Sequence, residues 1–155
     1  MLDKAEKNLE RQLEWIARYD TRIAFIAGIA IAMLGVLANA GSTVTFWSAD
    51  LYWLFLIAIV LLLACLTCIY FGQYPTMRAK NESLLYFGSI ADLSFVEFSK
   101  RFRKLSDDDY LTDLLHQIHR NSLILKDKFL LLRAALILLL CAVLPWMLFI
   151  HSIGA

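Results

Sequence analysis

From Ser106 to Leu144 the chain contains neither glycine nor proline, and that uninterrupted run is what most limits the folds open to it. Ser106 is a good N-cap, and Asp107, Asp108 and Asp109 place negative charge on a first turn, where a helix favours it. The run therefore predicts one helix of about 40 residues, roughly 60 Å long at about 1.5 Å per residue. Its halves suit different solvents. Tyr110 to Arg133 is amphipathic and charged, whereas Ala134 to Ile150 carries no charge. One helix is expected to begin in water and end in lipid.

Composition agrees. The 155 residues are 60% hydrophobic, with a mean hydropathy of +0.63, too apolar for a soluble domain of this size. Three stretches have the length a span requires, roughly 17–25 residues. The expected organisation is all-α: a cytoplasmic amphipathic helix over 1–22, a first span over 23–40, an outer loop over 41–50, a second span over 51–72, a cytoplasmic helical segment over 73–133 and a third span over 134–151. The first and last helices continue from the cytoplasm into the membrane. All 15 Lys and Arg residues lie within 1–22 or 73–133. The positive-inside rule then puts the N-terminus and the middle segment in the cytoplasm and the C-terminus outside, the alternation that three spans demand. Ala38-Asn39-Ala40 resembles a signal-peptide cleavage pattern, but the stretch before it is long and as acidic as it is basic, so an uncleaved span is expected.

Both long helices carry a seven-residue interval: Leu2, Leu9, Ile16 and Ile23, flanked by Leu13 and Tyr19, and Leu111, Ile118, Leu125 and Leu132. Such stripes pack in parallel, seam against seam, or each against the middle segment of its own chain. Ala24, Gly28 and Ala32 form a small-residue face on the first span, suited to close helix packing within the chain or between subunits. Phe46, Trp47, Tyr52 and Trp53 mark the outer interface, with Trp146 able to join them. Gln73-Tyr74-Pro75 breaks the second span. A helix is expected over 76–92, carrying Leu84, Leu85, Phe87 and Ile90. A short second helix, capped by Ser94 and Glu97, is expected to bury Phe95, Phe98 and Phe102.

Few residues suggest chemistry. Lys100, Arg101, Arg103 and Lys104 either neutralise Asp107–Asp109 and neighbouring acids or help to hold an anion. The helix start at Ser94 suits a phosphate better than the acidic start at Ser106. Tyr86, Phe87, Ser89, Ser94, Arg101 and Arg103 are accordingly the candidate ligand residues; the plainer alternative is that Tyr86 and Phe87 are core. At the membrane boundary Asp20 needs a partner, and Arg22, Lys128 and Arg133 are at similar depth; snorkelling to water is the alternative. His116 and His119 with Asp113 have metal-ligand spacing but no further His or Cys nearby. Cys65 and Cys68 form a CxxC inside a span and read as small apolar helix residues. No nucleophile–base motif, paired carboxylates or phosphate loop is present, so no catalytic residue, metal or cofactor is expected. A basic face broad enough for nucleic acid is missing too.

Three stretches resemble the Pycsar effector transmembrane family. They are Asp20-Thr21-Arg22 at the start of the first span, Tyr86-Phe87-Gly88-Ser89-Ile90-Ala91 followed by Ser94-Phe95-Val96-Glu97-Phe98, and Leu114-Leu115-His116-Gln117-Ile118-His119 leading to Lys126-Asp127-Lys128-Phe129-Leu130-Leu131-Leu132-Arg133. Arg22 stands where the family pattern has lysine, which keeps the charge and changes its geometry. The resemblance implies an anti-phage effector in the bacterial inner membrane, and the chain is expected to act as a non-enzymatic homo-oligomer. It would answer the product of a pyrimidine nucleotide cyclase, cyclic UMP or cyclic CMP, by impairing the lipid bilayer. The alternative class is a membrane scaffold or channel-like oligomer with no nucleotide ligand.

Overall fold

The computed structural model describes residues 1–74 and 83–154. Helix α1 covers Leu2–Thr43, α2 Ala49–Gln73, α3 Phe87–Ala91, α4 Phe95–Lys104 and α5 Asp107–Gly154, and no strand occurs among the described residues. The protein is all-α. Helices α1, α2 and α5 are each long and apolar enough to cross a membrane. The chain divides into two compact units: Met1–Arg18 with Pro75–Lys126, and Tyr19–Tyr74 with Asp127–Ala155. Helices α1 and α5 contribute to both.

The apolar unit is a three-helix bundle. Helix α1 buries Tyr19, Ile23, Ile26, Ala30, Met33 and Leu37, α2 buries Ala58, Leu62, Cys65 and Ile69, and α5 buries Leu132, Ala135, Leu139, Ala142 and Phe149. Alternating steps of three and four keep one stripe of each helix turned inward. Lipid is as apolar as these side chains, so close packing and hydrogen bonds must hold such a bundle. Ala30, Ala58, Ala135 and Ala142 are fully buried and let the backbones approach. The Cys65 thiol donates to the Ala135 carbonyl at 3.3 Å. Trp146 turns inward, its indole N–H donating to the Met33 carbonyl at 3.1 Å rather than joining an interfacial belt. Trp47, Phe55 and Phe149 close one end, with ring centroids 5.1–6.0 Å apart.

The cap residues explain the helix ends. Ser48 accepts from the Leu51 N–H at the start of α2, and the Ser42 and Thr43 hydroxyls donate to the last carbonyls of α1 at 2.7 Å. Helix α5 is longer than the glycine- and proline-free run, because it continues through Pro145. Proline removes one N–H from the ladder, a loss that neighbouring helices in a membrane bundle can offset.

In the charged unit the first turns of α1 lie beside α5. Ala5, Gln12 and Leu114 are buried, the Gln12 side chain donates to the Ser122 hydroxyl at 2.8 Å, and the Tyr110 hydroxyl donates to Glu6 at 3.2 Å. The two seams meet in parallel within this unit. Their register differs from the expected one: Gln12 enters the seam and Leu13 is exposed.

Two further expectations are corrected. Residues 76–82 of the helix expected over 76–92 lie outside the described residues, and Ser83–Tyr86 is not helical; only Phe87–Ala91 is. Nor does α4 bury its phenylalanines. No α4 residue is buried, Phe95 is 82% exposed and Phe102 50%.

Candidate functional site

On α5, Asp113, His116, Gln117 and Arg120 are separated by three or four positions and share a face. Asp113 is the anchor. Its Oδ2 accepts from the Ser83 hydroxyl at 2.9 Å and from the Leu84 backbone N–H at 3.0 Å. Ser83 Oγ in turn accepts from the Leu85 and Tyr86 N–H groups at 3.2 and 3.1 Å, and from the Gln117 amide at 3.0 Å. A hydroxyl that serves successive backbone donors holds a turn in place of a helix, which is why Ser83–Tyr86 departs from helical geometry. The turn sets the Tyr86 ring 5.9 Å from the Arg120 guanidinium and 4.8 Å from the Phe87 ring. At Gly88 a Cβ would sit 2.5 Å from Tyr86 Cε1, so a larger residue there would have to displace the Tyr86 ring.

Between this turn and α5 lies a cleft of about 490 Å³, lined by Ser83, Asp109, Thr112, Asp113, Gln117 and Arg120, together with His116 and His119. That volume falls in the usual range for small-molecule sites. Asp109 is partly engaged by the Ser106 hydroxyl at 2.5 Å. The cleft thus offers hydrogen-bond acceptors and a guanidinium from α5. Burial first, then its bond to Glu6, pushes the Tyr110 phenol above its ordinary range. Among the described residues no three His, Cys, Asp or Glu side chains converge as metal ligands.

None of the six candidate ligand residues lines this cleft. Tyr86 borders on it through Arg120. Phe87 is exposed and Ser89 buried. Ser94 and Arg101 line a shallow hollow on α4, and Arg103 lines another. Ser94 caps the Glu97 N–H at 3.2 Å, and Glu97 holds Arg101 at 2.6 Å, so a carboxylate occupies the first turn where an anion would approach. Sequence reasoning missed Ser83, Gln117 and Arg120. The signal for the last two was their three-to-four spacing with Asp113 among leucines.

At the proposed membrane boundary, in the apolar unit, Asp20 Oδ1 accepts from Lys128 and from Gln73, each at 3.4 Å. The Lys128 ammonium also lies 4.8 Å from the centre of the fully buried Tyr19 ring. Arg22 and Arg133 are exposed and form no ion pair among the described residues. Ala24, Gly28 and Ala32 face away from the bundle core. All three are exposed, and a Cβ at Gly28 would meet nothing within 4 Å.

Comparison with known proteins adds an independent line. A family model described as Pycsar effector protein domain matches residues 4–153. The Pycsar effector protein GmPycTM of Gulbenkiania mobilis is 24% identical over 156 aligned residues, covering 82% of this chain and 80% of its own length. No solved structure matches the chain.

Proposed function

The chain belongs to the Pycsar effector protein family, and from that membership we propose that it is an anti-phage effector of the bacterial inner membrane, switched by a cyclic pyrimidine nucleotide. The N-terminus and the charged unit face the cytoplasm and the C-terminus lies outside, in keeping with the placement of every Lys and Arg. A cyclase supplies the nucleotide. The effector is a non-enzymatic homo-oligomer, and its rearrangement impairs the bilayer. The match of one family model to nearly the whole chain carries this reading.

The cleft beside Ser83 supports a site for the nucleotide. A cyclic phosphodiester carries one negative charge, for which Arg120 is the available guanidinium. The N–H donors of a pyrimidine edge suit Asp109, Asp113 and Gln117 as acceptors. Tyr86 offers an aromatic face. Coupling runs along α1 and α5, each of which contributes to both units without a helix break. A ligand shifts such an equilibrium only by its differential affinity for the two states. The outward small-residue face at Ala24, Gly28 and Ala32 supports contacts between subunits in lipid.

The test is dye release from liposomes holding the full-length protein, on addition of cyclic UMP or cyclic CMP, with cyclic AMP as comparison. Release with a cyclic pyrimidine nucleotide is expected, and Arg120→Ala should raise the concentration needed by about tenfold, the equivalent of ~1.4 kcal/mol of lost binding. Intact liposomes with every cyclic nucleotide would overturn the reading.

A further inference from the structure

Helix α4 buries none of its residues. Its Ser94 cap and Glu97–Arg101 pair give it local support, yet a ten-residue helix is marginal in water when no residue is buried and only Phe98 and Ser99 are half-buried. None of its residues is buried, and Phe95, Val96 and Phe102 are 82%, 76% and 50% exposed. Phe95 and Val96 share a hollow of about 450 Å³ with Lys100, Arg103 and Lys104. Those three cations form no ion pair among the described residues, and Arg101 pairs only with Glu97. An apolar patch rimmed by unmatched charge is the composition of a docking surface.

The complementary charge lies close by. After the extended residue Leu105 and the cap Ser106, α5 opens with Asp107, Asp108 and Asp109. Asp109 is engaged by Ser106. Asp107 and Asp108 are exposed and join no cation of α4 among the described residues. Opposite charges therefore lie near each other in sequence, unmatched among the described residues. We infer that α4 is a self-docking helix, its basic face seated against Asp107 and Asp108 of a second copy of this chain.

Two physical arguments favour a second copy as the occupant. An anionic bilayer, the other usual cover for a basic and aromatic helix, would have Asp107 and Asp108, near neighbours of Lys104 in the sequence, to repel it. In a ring whose axis follows the membrane normal, groups adjacent in one protomer stay level with the same groups in the next. The basic helix of each subunit then meets the acidic turn of its neighbour at one height, a heterologous contact that closes on itself. Phe95, Val96 and Phe102 supply the buried area, and the charges fix the register.

The inference rests on the homo-oligomer reading above, and the test separates the two. Native mass spectrometry of the full-length protein from detergent micelles is run on four chains. These are the wild type, Lys100→Glu with Arg103→Glu and Lys104→Glu, Asp107→Lys with Asp108→Lys, and all five substitutions together. The wild type is expected to be oligomeric, each reversed set to be mostly monomeric at the same concentration, and the fivefold chain to recover the oligomer with its charges exchanged. A further chain, Phe95→Ser with Val96→Ser, alters only exposed side chains and should also lose the oligomer. A monomeric wild type would overturn both readings. An oligomeric wild type whose reversed and serine chains assemble unchanged would overturn the α4 interface alone. A fivefold chain that stays monomeric would overturn the pairing of these charges.

Discussion

Gly72→Ala is a sharp test of how the apolar bundle is packed. A Cβ at Gly72 collides with the Tyr19 hydroxyl, while Ile23 Cδ1 at 3.4 Å and Leu131 Cβ at 3.6 Å would make ordinary contacts. The conflict is thus with one oxygen. Tyr19 cannot readily swing away. It is fully buried, edge-on to Phe129 at 6.0 Å, with Lys128 over its ring. Its hydroxyl is buried without a hydrogen-bond partner among the described residues, so no bond compensates for the tight fit. Overpacking of this kind costs about 1–3 kcal/mol. For a chain of this size, 2 kcal/mol lowers Tm by roughly 4–8 °C. Tyr19→Phe removes the clashing atom and a buried polar group with no partner, so alone it should leave stability unchanged or raise it by about 1 kcal/mol. Combined with Gly72→Ala it should recover most of the loss. The assay is thermal unfolding of the four chains in one detergent, read as a double-mutant cycle. A double variant no more stable than Gly72→Ala would refute the argument, since the cost would then lie in the α2 backbone and not in the hydroxyl.

Two other expectations concern the charged unit. Gln12 is buried, and its Oε1 has no partner among the described residues; turning the amide over would only orphan the other atom, because Ser122 is its one bonded neighbour among them. Gln12→Leu should stabilise by about 1 kcal/mol and raise Tm by roughly 2–4 °C, and a fall in Tm would contradict it. Tyr110 has a pKa raised by burial and by its bond to Glu6. Its contribution to stability is therefore complete below the unfolded phenol value, near pH 10, and fades as pH rises through the higher folded value. Unfolding scans from pH 8 to 11 should show a loss of Tm at the alkaline end that Tyr110→Phe lacks; parallel curves would oppose this assignment.

The architecture was legible because it follows from solvent preference. Ala134–Ile150 has no charge and Ser106–Leu144 no breaker, so helix length and lipid exposure could be read from residue types. Burial at Leu125 and Leu132 followed from the seven-residue interval. The seam near the N-terminus was less legible, because Gln12 is polar and Leu13 apolar; a partner on another helix, Ser122, draws the amide inward. The turn at Ser83–Tyr86 was hidden for a similar reason. Local propensity favoured a helix, but Asp113, some 30 residues later, takes the Ser83 hydroxyl and the Leu84 N–H. The cleft exists only once those distant residues meet. The α4 phenylalanines misled in the opposite sense. Their spacing reads as a core stripe, whereas among the described residues Phe95 and Phe102 stay exposed and Phe98 is only half-buried.

The central claim is that α5 begins in the cytoplasm and ends on the far side of the membrane. Cysteine labelling in intact cells tests it most directly, on a chain in which Cys65, Cys68 and Cys141 are replaced by alanine. A membrane-impermeant maleimide should leave Arg101→Cys untouched until the inner membrane is opened, and should label Ser152→Cys without that step. Labelling of both positions from the same side would contradict the account.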